Sequence, residues 1–502
     1  MPPFDVRRFG ASARPSHAAV WVVLGIQGVS MLALAAVLGT WHDEEYTLAT
    51  TAHGVLYAFH RAIDFELQAP LYFVLLAALR TVATSMLAAR AVSVACAVGA
   101  AYVLGEIARR IAPARDPWPF VALVAFSPFT VFAALEIRLY AFALLLSALC
   151  WLTFYDGYFA GKKRGARLAF VGLALASLYT QYFIAFELIA FGVGLLVMRR
   201  YRSLGAYALA GAAVAIGFAP MALVLHAQVG GAFSVPDAKL PGLSSVFLHP
   251  LIDFIVPLDF RYTTGRFGHL CVLLLFVVVP LAIFVGRPRI DVRIVAVVAM
   301  AAVVEAIYAI LADVLRYELV VPRHFVALFV PEVVAAYALV CAFASPRARM
   351  AALGLAIVIS LATAATLVTQ YGSLAKRGDW PRVGAFLSRV ARPGDTIAVT
   401  EADALPAFTR YYHGPARVVP FPRPLPPDRY DVDAMLVHSV ADGEAALRRL
   451  PRTGQLWLVI YGGCDASDRL GCRELQRALD ARERVVETHA FFDNRVLRLE
   501  RR

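Results

Sequence analysis

The stretch GIQGVSMLALAAVLGTWHDEEY, residues 25–46, runs an apolar segment straight into three consecutive carboxylates, Asp43, Glu44 and Glu45. The apolar part belongs to a run at 18–40, and about 20 such residues suffice to cross a bilayer as a helix. It is longer than a signal-peptide core and lacks a small-residue cleavage site, so it reads as a retained first span. Carboxylates at the lip of a span are costly to place near lipid, and their presence asks for a reason.

Composition settles which solvent the chain folds in. Its 502 residues are 60% hydrophobic and 17% charged, with a mean hydropathy of +0.66. Soluble domains sit near roughly 45–50% apolar and 25% charged, so this is a polytopic membrane protein whose first partner is the lipid bilayer. The formal net charge of +12 does not indicate nucleic acid. The cations fall in short clusters between apolar runs, as at Arg109-Arg110, Lys162-Lys163-Arg164 and Arg199-Arg200, which is how a chain sets its orientation in a membrane.

Apolar segments lie near 18–40, 89–108, 118–134, 139–159, 168–181, 183–198, 204–224, 268–286, 294–314, 325–343 and 350–370, eleven candidate spans in all. Putting the basic clusters on one side makes the N-terminus cytoplasmic. APLYFVLLAALR, residues 69–80, breaks that alternation if it is counted as a span. A helix of its length covers about 20 Å, short of the roughly 30 Å hydrocarbon core. It is placed instead as a helix along the outer interface, inside one external loop from 41 to 88. Past Tyr371 the composition turns to Arg, Asp, Glu and Pro. Helix-like VGAFLSRV (383–390) and ELQRALDARE (474–483) alternate with strand-like TIAVT (396–400), LWLVIY (456–461) and RVLRLE (495–500), the pattern of a small α/β domain. The expected fold class is a polytopic α-helical membrane protein of about eleven transmembrane helices with a small C-terminal α/β domain outside the cytoplasm. Residues 1–371 form the transmembrane part and 372–502 the soluble part, in a bacterial-type inner membrane.

With that orientation HDEEY opens the first external loop, and ALEIRLYA (134–141) lies at the next external connection. RYELVVPRHF (316–325) puts Arg316, Arg323 and His324 on the side where cations are uncommon, as expected if they hold something anionic.

Five stretches in register resemble the integral-membrane glycosyltransferases of the C superfamily, to which the protein O-mannosyltransferases and the lipid A aminoarabinose transferase belong. They are DEEYT (43–47), DFELQAPLYFVLL (64–76), SPFTVFAALEIRLYAFALLLSAL (127–149), VPRHFVALFVP (321–331) and DWPRVGAFLSRVARPGDTIAV (379–399). The resemblance implies transfer of a sugar from a polyprenyl-phosphate carrier to a lipid, glycan or protein acceptor, with inversion at the sugar carbon. It implies substrate contact at Tyr46, Asp64, Gln68, Arg138 and Tyr140. Where the family pattern carries His-Pro-Pro or Lys-Pro-Pro, this chain has Gln68-Ala69-Pro70. The basic side chain that relatives use near the carrier phosphate or a metal is therefore missing.

The chemistry gives the same residues a reason of its own. Transfer to a hydroxyl needs a base for the acceptor proton and cations for the departing phosphate. Asp43 is the expected base, with Glu44 or Glu136 orienting it or holding the acceptor. Arg90 and Arg323, the latter beside His324, are expected on the phosphate, since a guanidinium meets two phosphate oxygens at once. If residues 136–140 are helical, Glu136 and Tyr140 share a face and Arg138 turns away. Asp43 also reads as an N-cap of a helix opening at Glu44. His42, His53, His60, His226 and His249 leave a divalent metal open as a cofactor, although no pair has the His-x-x-x-His spacing. The rival class is a transporter or flippase of lipid-linked saccharides, for which Glu305, inside the ninth span, is the main support. No catalytic constellation stands out after residue 371, so that domain is expected to contact the acceptor or shield the site. Cys464 and Cys472 stand with seven residues between them in a glycine-flanked turn and are expected to form a disulfide in an oxidising compartment.

Overall fold

The computed structural model describes residues 17–231, 284, 289–315, 326–343, 345–356, 371, 374–461 and 471–502. In chain order the helices are α1 (His17–Val37), α2 (His42–Thr50), α3 (Val55–Asp64), α4 (Leu71–Arg80), α5 (Met86–Ile111), α6 (Trp118–Ala125), α7 (Pro128–Leu135) and α8 (Tyr140–Phe154). They continue with α9 (Arg164–Leu178), α10 (Ala185–Val197), α11 (Tyr201–Gly231), α12 (Val292–Leu315), α13 (Val326–Ala342), α14 (Trp380–Val390), α15 (Leu405–Tyr411), α16 (Val440–Arg449) and α17 (Cys472–Arg482). The strands are β1 (Thr396–Thr400), β2 (Arg417–Phe421), β3 (Leu456–Tyr461), β4 (Glu483–Phe491) and β5 (Asn494–Arg501).

Two compact units emerge. One is drawn from Met1–Ala33, Met86–Leu223 and Pro236–Thr366, the other from Leu34–Ser85, Val224–Val235 and Leu367–Arg502. The first long connection thus belongs with the C-terminal residues and not with the helices that flank it in sequence.

The first unit is helical and apolar, and the protein is a multi-pass membrane protein. Among the described residues four helices are individually long and apolar enough to cross a bilayer: His17–Val37, Met86–Ile111, Tyr140–Phe159 and Tyr201–Gln228. The pair α6 and α7 would make a fifth. Eleven spans were expected from hydropathy; helices occupy nine of the eleven stretches, the run at 268–286 lies outside the described residues except for residue 284, and that at 350–370 is described only in part. The expected span at 118–134 is two helices bent by 56°. Pro128 at the start of α7 lacks the N–H that would continue α6, and Ser127 caps the new helix by accepting from the Thr130 amide at 3.3 Å. Close helix approach rests on small residues. A Cβ at Gly105 would sit 2.7 Å from Val121, and one at Gly194 would sit 2.6 Å from the Met300 sulfur.

The second unit holds a five-stranded sheet of order β2-β1-β3-β5-β4. β1 pairs in parallel with β2 and β3, while β5 pairs antiparallel with β3 and β4. Every residue of β1 and β3 is buried, because helices cover both faces, as parallel strands require. Ile397, Val399, Trp457 and Val459 pack on one face against Trp380, Val383 and Phe408 of α14 and α15. Ala398, Leu456, Leu458 and Ile460 pack on the other against Leu447, Leu475 and Leu479 of α16 and α17. Helix α4 is ten residues long, about 15 Å at 1.5 Å per residue, too short to span.

Candidate active site

Helix α2 opens at His42, one residue before the acidic triplet. Its N-cap is Trp41, in extended backbone and without a side-chain cap bond. Asp43 is therefore inside the first turn and is not the N-cap of a helix opening at Glu44. All three carboxylates occupy that first turn, where the positive end of the helix favours them. Successive side chains on a helix point about 100° apart, so the three acids go three ways.

Glu44 goes inward. Its Oε1 lies 2.8 Å from Nζ of Lys376, and the side chains are 0% and 2% exposed. A buried pair like this is held by geometry, and removing either partner leaves a naked charge. Glu45 meets Arg410 of α15 in a two-pronged pair, with Nη2 donating to Oε2 at 2.8 Å. That hydrogen bond, with the Glu45 charge, raises the guanidinium's hold on its proton. Beside them the Tyr411 hydroxyl accepts from the Thr40 amide at 2.9 Å. At the other end of α2, Arg80 donates to the Leu48 carbonyl and to Thr51 Oγ1. Helix α2 is thus pinned at both ends.

Asp43 goes toward a polar cluster. His42 Nε2 stands 3.4 Å from Asp43 Oδ1 and 3.8 Å from Asp403 Oδ2. The His42 ring is packed edge-on to Trp41 and to Tyr461, the last residue of β3. Tyr430 donates its hydroxyl to Asp403 Oδ2 at 2.9 Å. The Tyr46 ring sits 5.1 Å from Phe65 and 6.4 Å edge-on from Tyr430. Burial first, then the charges of Asp403, Glu66 and Asp43, push the Tyr46 phenol well above its ordinary range. Burial and Asp403 do the same to Tyr430. Both phenols stay protonated and can donate. Arg61 lies over the Phe65 ring at 4.0 Å and donates to the Pro427 carbonyl at 3.0 Å, which ties the proline-rich loop to α3.

Asp64 ends α3, and Gln68 follows in the turn to α4, its amide donating to the Ala62 carbonyl at 2.9 Å. Leu67, between them, has a positive φ of 54°; a residue other than glycine pays a strain of about 1–3 kcal/mol there.

In the other unit, Arg90 on the first turns of α5 is fully buried, as are Glu136, Arg138 and Tyr140 within a few per cent. The condition that residues 136–140 be helical is not met. Helix α7 ends at Leu135 and Glu136 is extended, with φ −99° and ψ 136°. Residues 136–139 form a break, so Glu136 and Tyr140 do not share a helical face. The break is held by Ser93, whose hydroxyl donates to the Glu136 carbonyl at 2.6 Å, and by Tyr140 stacking on Phe132. Arg323, His324 and Cys464 lie outside the described residues. Cys472 is disulfide-bonded. Among the described residues no group of three or more His, Cys, Asp and Glu side chains is arranged to hold a metal.

Sequence reasoning missed Asp403, Tyr430, Lys376 and Arg410, and used His42 only as one of several histidines. One signal was there. Asp403 sits three residues past β1, at the carboxyl ends of parallel strands. The chain runs from β1 outward to β2 and then back to β3 on the other side, and such reversal points are where open α/β sheets place their sites.

Two solved structures resemble the chain over nearly its whole length. ArnT from Cupriavidus metallidurans bound to undecaprenyl phosphate matches at 13% identity and a TM-score of 0.46, covering 96% of this chain and 98% of that one. The same protein in the apo state matches at 12% identity and a TM-score of 0.43, with the same coverage. No protein-family model matches the chain, and no curated protein matches it.

Proposed function

We propose that the protein is a membrane glycosyltransferase that moves a sugar from a polyprenyl-phosphate carrier to an acceptor hydroxyl at the outer face of a cytoplasmic membrane. The observation that carries the reading is the division of labour in the acidic triplet. Glu44 and Glu45 are spent on Lys376 and Arg410, whereas Asp43 stands beside His42, Tyr46 and Asp403. A carboxylate in such company suits a general base. In this reading the acceptor hydroxyl gives its proton to Asp43 as its oxygen bonds to the sugar carbon. The bond from that carbon to the carrier phosphate breaks, and the polyprenyl phosphate leaves with the electron pair. Single displacement inverts the carbon. Arg90 and Arg323, with His324, are assigned to the phosphate. Glu136, Arg138, Tyr140, Asp64 and Gln68 are assigned to substrate contact, and Glu44 moves from the catalytic group to the anchor of α2. The loop 41–88 and residues 372–502 lie outside the cytoplasm in this reading, with Cys464 paired to Cys472.

The transporter alternative would rest on acids inside spans, Glu305 of α12 first among them. Glu187 of α10 is such an acid, but the single Ser147 O–H faces both its oxygens, at 2.8 and 2.9 Å, and Trp151 donates at 3.1 Å. A carboxylate held by two side chains of α8 reads as a tie between α8 and α10. The test is comparative mass spectrometry of membrane glycolipids and envelope glycans in a strain lacking the protein. A missing sugar modification with its unmodified acceptor accumulating supports the transferase. Unchanged glycans contradict it.

A further inference from the structure

Asp403 lies in the 3-10 turn after β1, outside the sheet, and is 4% exposed. Its Oδ2 accepts from Tyr430 at 2.9 Å and faces His42 Nε2 at 3.8 Å. Its Oδ1 is buried and accepts no hydrogen bond among the described residues. Buried carboxylate oxygens are nearly always satisfied, because leaving one bare costs stability. The backbone bends to put this one there. Glu401, which leads from β1 into the 3-10 turn Ala402–Ala404, has a positive φ of 55°, and strained residues of this kind cluster where geometry serves function. The neighbour it reaches, His42, is at the same time 3.4 Å from Asp43.

We infer that Asp403 is a positioning residue for Asp43, acting through the His42 imidazole, so that the C-terminal domain supplies part of the apparatus that aims the base. The inference rests on the assignment of Asp43 above. The negative charge of Asp403 draws the Nε2 edge of His42 into the space between the two carboxylates, and Tyr430 fixes the Asp403 rotamer. The rings of Trp41 and Tyr461 stop the imidazole from swinging out. His42 then holds Asp43 Oδ1 in one orientation as the acceptor arrives. A base held in place contributes to the rate and not to donor binding. The domain's role is therefore chemical, and goes beyond contacting the acceptor or shielding the site.

The experiment uses the full-length protein in the strain lacking it. Each variant is scored for glycan output per molecule of protein, for binding of undecaprenyl phosphate to the purified protein, and for unfolding temperature. Asp403→Asn keeps size and the bond from Tyr430 but loses the charge. It is expected to lower output about tenfold, with undecaprenyl phosphate binding and unfolding temperature unchanged. Tyr430→Phe is expected to lower output about threefold. Wild-type output from Asp403→Asn in a background where Asp43→Asn is inactive overturns the inference and leaves the functional reading standing. A fall in output matched by a fall in unfolding temperature, with Tyr430→Phe unaffected, also overturns it, since the role is then structural. Wild-type output from Asp43→Asn means that the functional reading itself has failed.

Discussion

Two short stretches of this chain look alike on paper: HDEEY at 42–46 and EIRLY at 136–140, each an acid followed by a tyrosine at the end of an apolar run. Their backbones part company. The first is helical from His42, so its acids fan out to Lys376, to Arg410 and to the His42–Asp403 cluster. The second is a break between α7 and α8 in which Glu136 is extended and its carbonyl is held by Ser93. Spacing says that acids stand at the lip of a span. Only the backbone conformation says where each is aimed, and hence which of them are anchors.

Removing an anchor of α2 is expected to have the largest effect. Lys376→Met leaves the Glu44 carboxylate buried without its cation and is expected to destabilise the protein by about 3–5 kcal/mol, read as a drop in unfolding temperature of the purified protein. Lys376→Met with Glu44→Gln should recover part of that loss. If Lys376→Met unfolds like the wild type, Glu44 is not an anchor and returns to the catalytic candidates.

Glu45→Gln is the milder counterpart. Arg410 is 40% exposed on its side chain, so solvent screens the pair and a cost of about 1 kcal/mol is expected. In the other stretch, Glu136→Gln should reduce glycan output by less than Asp43→Asn does, as fits a residue that contacts substrate without taking a proton. An equal loss from both would put Glu136 on the same footing as Asp43. The smallest perturbation tests orientation alone. A cysteine at Thr84 should label from outside and one at Ala112 from the cytoplasm, and the reverse pattern would overturn the orientation.

The interior of the C-terminal sheet was legible in the sequence and its margins were not. TIAVT and LWLVIY are buried on both faces and read as apolar runs. The two strands that escaped notice, β2 and β4, are the edges. RVVPF carries Pro420, which an edge strand tolerates and a central one does not, and ERVVETHAF keeps only Glu483 fully buried. In the membrane unit the apolar runs located the helices, but the break at Ser127-Pro128 was hidden inside one run. At the site, Asp43 and Tyr46 were legible from their spacing, while Asp403 and Tyr430 lie more than 350 residues further along the chain. Their partnership with α2 is made by tertiary packing, and no local pattern could announce it.

The assignment of the base within the triplet falls on Asp43, which stands beside His42. It is tested most directly by Asp43→Asn in the full-length protein, scored by mass spectrometry of glycans in the strain lacking the wild type. The amide keeps the shape of the carboxylate and its place in the first turn of α2, but it cannot accept the acceptor's proton. Glycan output is expected at the level of the empty strain, with the variant present in the membrane at wild-type abundance and unfolding at the wild-type temperature. Output near that of the wild type would contradict the assignment.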